Sequence, residues 1–264
     1  MALDKGDIDS LSNGRDPYYV EKDYLQDIIL FQIYEKSADH FVFKGGTALS
    51  KFYSSDRFSE DLDFTTRALP DPLAYFKDVM ARSLRDIEYK TAYKEEPKTN
   101  KFGTINTTII MQGPRYNSKA STLQHITLEL NTRASLLYDP IPIPRAPNYP
   151  DARNYVALVM DKNEILAEKI RAIMGPKRRH KERDLYDMYF LLSKSAIIER
   201  KIVVKKLKEA GMELSMEKLN GEIAKIGNNW KELDLTVRHR LEEYSYVKSY
   251  VSERLSEALG EKGA

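Results

Sequence analysis

The chain has 264 residues, enough for one large domain or two small ones. Its 42 Lys and Arg against 40 Asp and Glu leave a net charge of +2, with 42% apolar residues, which excludes a disordered segment or a uniformly basic nucleic-acid coat but not a local basic groove. The lack of cysteine excludes disulfides, thiol nucleophiles and cysteine-held zinc, and four histidines leave a hard cation on carboxylates as the expected metal chemistry.

Residues 1–16 read as a loose polar lead-in. Residues 18–35 read as a helix, with Tyr24, Leu25, Ile28, Phe31 and Gln32 at three- and four-residue steps. A short strand, 41–43, stops at Lys44-Gly45-Gly46-Thr47, and helical character resumes over 48–53. After a polar loop at 54–60, residues 61–65 form a second strand in which Asp61, Asp63 and Thr65 alternate with Leu62 and Phe64. Pro70 and Pro72 bracket the start of a helix at about 73–86, and strand-like segments recur at 87–95, 102–112 and 123–132. The five prolines of 139–150 read as a rigid connector or lid. Amphipathic helices follow at 161–175 and 182–195, and 200–258 continues helical. The expected architecture is therefore α+β: a mixed sheet with helices over 1–160, then a helical domain over 161–264. No apolar run reaches the ~18–20 residues of a membrane span, and the polar start lacks a signal-peptide core, so the expected setting is cytoplasmic.

Asp61 and Asp63 carry the chemistry. Two apart on a strand, they share a face, and a divalent hard cation relieves their mutual repulsion. Mg²⁺ typically takes one or two carboxylates together with substrate phosphate oxygens. The bland reading of Asp-x-Asp is an edge strand with two solvated acids. Gly45-Gly46-Thr47, fourteen residues upstream, tips the balance. Two glycines admit a phosphate close to the backbone, the helix start presents N–H groups, and Thr47 can cap that helix or bond a phosphate oxygen. Glycine turn and paired acids together describe a metal–nucleoside-triphosphate site.

Three segments, Val20-Glu21-Lys22-Asp23-Tyr24, Phe43 to Lys51, and Arg57-Phe58-Ser59-Glu60-Asp61-Leu62-Asp63-Phe64, resemble the AbiEii-type nucleotidyltransferase toxin family of the DNA-polymerase-beta-like superfamily. The match rests on Gly45, Gly46, Thr47, Asp61 and Asp63, with a thirteen-residue spacer (48–60) whose end opens the Arg57, Ser59, Asp61, Asp63 run. The family's second signature resembles Glu164 to Ala172, with Lys169 and Arg171, followed by Arg183-Asp184-Leu185-Tyr186-Asp187. The resemblance covers roughly 20–192.

It implies a nucleotidyltransferase-like mixed sheet flanked by helices, with the helical part completing the cleft. It also implies an Mg²⁺- or Mn²⁺-dependent enzyme that moves an NMP from an NTP to an acceptor hydroxyl, with the 3′ end of tRNA as acceptor and an antitoxin as partner. Asp61, Asp63, Glu129, Lys169, Asp184 and Asp187 are then catalytic, the first three holding the metal. Lys44, Gly45, Gly46, Thr47, Arg57, Ser59, Arg171 and Arg183 contact the nucleotide. Glu129 fills the third carboxylate position because a single charge interrupts its apolar strand; Glu88 competes for it. Lys169 either reaches the triphosphate or pairs within its helix with Glu164 or Glu168. The basic run 177–183 is either a solvated surface or a phosphate-lining segment, and Lys201, Lys205, Lys206 and Lys208 permit acceptor docking. Competing functions are nucleotidylation of a protein or small molecule, and GTP or ATP binding without turnover.

Overall fold

The computed structural model describes residues 2–67, 69–175 and 181–260, apart from the side chain of Ala38. The chain divides into two compact units. One comprises Met1–Phe52, Phe58–Leu136 and Pro140–Val159; the other comprises Tyr53–Arg57, Leu137–Asp139 and Met160–Ala264.

The first unit is built on a seven-stranded mixed sheet. Its strands are β1 (Phe41–Lys44), β2 (Leu62–Thr66), β3 (Thr91–Thr99), β4 (Thr104–Met111), β5 (Gln124–Asn131), β6 (Ile141–Arg145) and β7 (Tyr155–Val159). Across the sheet the order is β3-β4-β5-β2-β1-β7-β6, with β2 parallel to β5 and antiparallel to β1. Alternation decides which face is apolar. Leu62, Phe64, Ile126, Leu128 and Leu130 are fully buried, whereas Asp63, Thr127 and Glu129 point the other way and keep exposure. Helices α2 (Pro17–Ser37) and α4 (Pro72–Arg85) cover the apolar face: the Phe76 ring of α4 lies 5.8 Å from Phe41, and Glu21 of α2 accepts from Gln124 of β5 at 2.7 Å.

The polar lead-in contains a helix. α1 (Lys5–Ser12) is held by a capping box in which Asp4 and Asp7 each accept the other's backbone N–H. The proline-rich connector is also regular structure: β6 pairs antiparallel with β7 in register Pro142↔Leu158 and Pro144↔Val156. Proline is tolerated here because β6 is an edge strand, where a missing N–H on the outer side costs no ladder bond. α3 (Gly45–Phe52) leaves β1 with no intervening loop, so the glycines expected to form a turn before a helix at 48–53 are themselves its first turn.

The second unit is helical: α5 (Lys162–Met174), α6 (Lys181–Ser193), α7 (Arg200–Glu209), α8 (Met216–Lys225), a 3₁₀ stretch (Ile226–Leu235) and α9 (Tyr244–Leu259). Asp161 caps α5 through the Asn163 N–H at 2.8 Å. Among the described residues, no helix is long and apolar enough to cross a membrane.

Candidate active site

Sheet register assembles the polar row of the first unit. Lys44 of β1 lies opposite Asp63 of β2, Asp63 opposite Glu129 of β5, and Glu129 opposite Asn106 of β4. Register partners stand side by side on one face, so Lys44, Asp63, Glu129 and Asn106 run in sequence across four strands. Asp61 precedes β2 by one residue and is exposed. Asp61, Asp63, Glu129 and Lys44 are all engaged in polar or ionic interactions.

Gly45 brings the turn against these acids. Its φ is +75°, and a Cβ there would overlap Asp63 Oδ2 and come within 2.9 Å of Asp63 Cγ. Only glycine both adopts that conformation cheaply and leaves room for the carboxylate. The Thr47 hydroxyl, read as a cap or phosphate ligand, donates to the Asp61 carbonyl at 2.5 Å. Ser59 and Glu60 are held through their backbones: Gln26 Nε2, fully buried on α2, donates to both carbonyls at 2.9 Å. Lys22 pairs with Glu60 at 2.8 Å.

Behind the turn, Lys51 of α3 is buried between Asp23 and Asp27, 3.0 Å from each carboxylate. Arg145 of β6 pairs with Asp27 at 3.0 Å, and the hydroxyls of Tyr155 and Tyr149 donate to Asp27 and Asp23 at 2.8 and 2.7 Å. Burial, joined by these acids, pushes both phenols well above their ordinary value, so they remain donors. Neither Gln26 nor this network was among the expected site residues. The signal was there: Gln26-Asp27 interrupts the apolar run Leu25, Ile28, Ile29.

The second unit gathers a different cluster. Arg57 is 2% exposed and makes a two-pronged pair with Asp187, Nε to Oδ1 and Nη2 to Oδ2, both 2.8 Å. Lys169, 8% exposed, lies 2.7 Å from Asp187 and 3.1 Å from Asp184. Burial pushes the Asp187 carboxyl up, but the charges and bonds of Arg57 and Lys169 overcome it and bring it down to about 2. Burial likewise opposes the Arg57 charge, and Asp187 outweighs it. Arg57, expected at the nucleotide, sits in this buried pair with Asp187. Lys169 thus pairs with both aspartates of α6, Asp184 and Asp187.

Glu164 and Glu168 of α5 meet Lys206, at 2.6 and 3.3 Å, while the Leu137 and Tyr138 N–H groups also donate to Glu164. Lys206 is fully buried and so leaves the surface cluster read on α7. Arg171 and Arg183 sit half-exposed on α5 and α6. Of the basic run, 177–180 lies outside the described residues, and Lys181 pairs with Glu222 at 2.6 Å. Glu88 lies between α4 and β3, away from the carboxylate row.

A bound cation must be reconciled with these donors. Among the described residues, no group of three or more His, Asp or Glu side chains is gathered to hold a metal by itself. Register places Asp63 and Glu129 side by side, and Asp61 stands two residues before Asp63, just ahead of β2. That donor chemistry fits a hard ion completed by substrate oxygens, which is how Mg²⁺ is commonly held.

Known proteins resemble this chain in family and in fold. The family model for the nucleotidyl transferase AbiEii toxin of type IV toxin–antitoxin systems matches residues 28–257. The crystal structure of JHP933 from Helicobacter pylori is similar at 17% identity, covering 92% of this chain and 96% of that one, with a TM-score of 0.58. A second structure, of a candidate nucleotidyltransferase from H. pylori, is similar at 17% identity, covering 90% and 96%, with a TM-score of 0.56. These two likenesses concern the fold. No curated protein matches the chain.

Proposed function

The chain belongs to the AbiEii family of nucleotidyltransferase toxins, and on that premise we propose that it transfers an NMP from an NTP to the 3′ end of tRNA in the cytoplasm, restrained by an antitoxin. The observation that carries the reading is the register row Lys44–Asp63–Glu129, with Gly45 packed on Asp63.

Asp61 and Asp63 would hold Mg²⁺ with Glu129 as the third carboxylate, and the ion when bound offsets the charge on the transferring phosphoryl oxygens. The chain's own residues do the rest. The Gly45–Gly46 turn and the start of α3 seat the phosphates with backbone N–H groups. Glu129 takes the proton of the acceptor hydroxyl as its oxygen bonds to the α-phosphorus, while the bond to the bridging oxygen breaks and pyrophosphate leaves with that electron pair. Thr47 holds the Asp61 carbonyl, and Gln26 the carbonyls of Ser59 and Glu60 before it, still through this exchange. Such a site works by positioning and electrostatics. Lys169, Asp184, Asp187 and Arg57 balance two positive charges against two negative ones, and we assign them to positioning.

Asp61→Ala and Asp63→Asn are expected to abolish transfer of α-phosphate label from NTP to tRNA without altering the circular dichroism spectrum. Full activity in either variant would refute the assignment. Label on the protein itself would instead favour self-nucleotidylation, and retained, unconverted NTP a binding module.

A further inference from the structure

A half-open cavity of about 260 Å³ lies in the first unit, where α2 faces the α4–β3 connection and the turn at 151–153. It is on the helix-covered side of the sheet, across from Asp61, Asp63 and Glu129. Its α2 wall is part of the stripe at three- and four-residue steps: Tyr24 and Leu25 are fully buried, as are Ile29 and Ile33, whereas Ile28, Phe31 and Gln32 are half-exposed around the opening.

Rings and carboxylates meet at this wall. Asp151 accepts on Oδ2 from the Tyr24 hydroxyl at 2.6 Å and the Leu3 N–H at 3.2 Å, while its buried Oδ1 has no hydrogen-bond partner. Glu88 is exposed on the rim with no ion pair among the described residues. Asp86 is already paired with Lys36 at 3.0 Å. The chain's own Arg153 lays its guanidinium 5.4 Å from the centre of the Phe31 ring. The Tyr89 hydroxyl is already committed, donating to the Leu3 carbonyl at 3.0 Å and lying 3.0 Å from the Tyr24 hydroxyl.

We propose that this cavity binds a slender organic cation, an alkylguanidinium or alkylammonium, with its charge toward Glu88 and Asp151 and its alkyl body on Phe31 and Ile28. A cation over an aromatic ring gains ~0.5–2 kcal/mol, and a donor at Asp151 removes the cost of a buried carboxylate oxygen without a partner. Arg153 occupies the ring face in the free protein and competes with the ligand. The site is independent of the transfer reaction.

The test is calorimetry on the full chain with butylguanidinium, its neutral counterpart butylurea, and a capped arginine tripeptide. Saturable binding of butylguanidinium is expected, with butylurea bound at least tenfold more weakly. Glu88→Gln is expected to weaken binding about fivefold and Arg153→Ala to strengthen it; both side chains are exposed, so neither change threatens the fold. Equal affinity for the tripeptide would identify a polypeptide-borne side chain as the ligand's source, and its refusal a free small cation. Absence of saturable binding, equal binding of butylurea, or indifference to both substitutions would overturn the proposal.

Discussion

The Thr47 hydroxyl donates to the Asp61 carbonyl at 2.5 Å, which commits its proton to the backbone that carries a carboxylate. Thr47→Ser keeps that bond and is expected to retain activity. Thr47→Val loses it, and since small misplacements of reacting groups cost up to ~100-fold, kcat should fall about ten- to a hundredfold. Steady-state kinetics checks this, and KM should change little. Gly45 is constrained twice, by its positive φ and by Asp63 against its Cα. Gly45→Ala is therefore expected to cost about 1–3 kcal/mol of stability and to suppress transfer, as denaturant unfolding and the label assay would show. Both residues belong to a local run, which is why the turn and its acids could be found in the sequence. That Thr47 serves Asp61 could not, because the bond depends on how the 54–60 loop returns to the helix.

Among elements, α5 and α6 are joined to the 53–57 segment by Asp187. Removing its charge takes the two-pronged partner from buried Arg57 and the nearer carboxylate from Lys169, so Asp187→Asn is expected to cost about 3–5 kcal/mol, the usual consequence of breaking a buried pair from one side. The Asp187 carboxyl, brought from 3.8 to about 2, supplies stability that is fully present above its unfolded value and is lost as pH falls through the folded one. Urea unfolding of the wild type should thus lose a component between about pH 4 and pH 2 that Asp187→Asn never had; an unchanged acid slope in the variant would contradict this. Arg57 and Asp187 are 130 residues apart, and no periodicity announces such a pair. The β6 prolines misled for a different reason: Pro142 and Pro144 break interior strands, and only the edge position of β6 makes them harmless. Residues 155–159, a short apolar run, carried no alternation to separate strand from helix start.

For the whole molecule, α+β order and the change to helices beyond residue 160 were readable from the switch between two- and 3.6-residue periods. Glu129 stands out in the sequence by the single charge on its apolar strand, but its register opposite Asp63 does not, since parallel pairing between strands more than sixty residues apart leaves no local trace. The core of the sheet is apolar and includes no metal cluster among the described residues. Chelation by EDTA is accordingly expected to abolish transfer while leaving the melting temperature of the protein alone within about 2 °C, because an ion held mainly with substrate adds little to the free chain. Parallel activity and melting assays would reveal a structural metal if the two fell together. The most direct test of nucleotidyl transfer uses NTP labelled in turn at the α- and γ-phosphate, incubated with Mg²⁺ and tRNA. The account predicts α-label covalently on the RNA 3′ end and γ-label released as pyrophosphate; γ-label on the acceptor, or release of inorganic phosphate with no labelled acceptor, would contradict it.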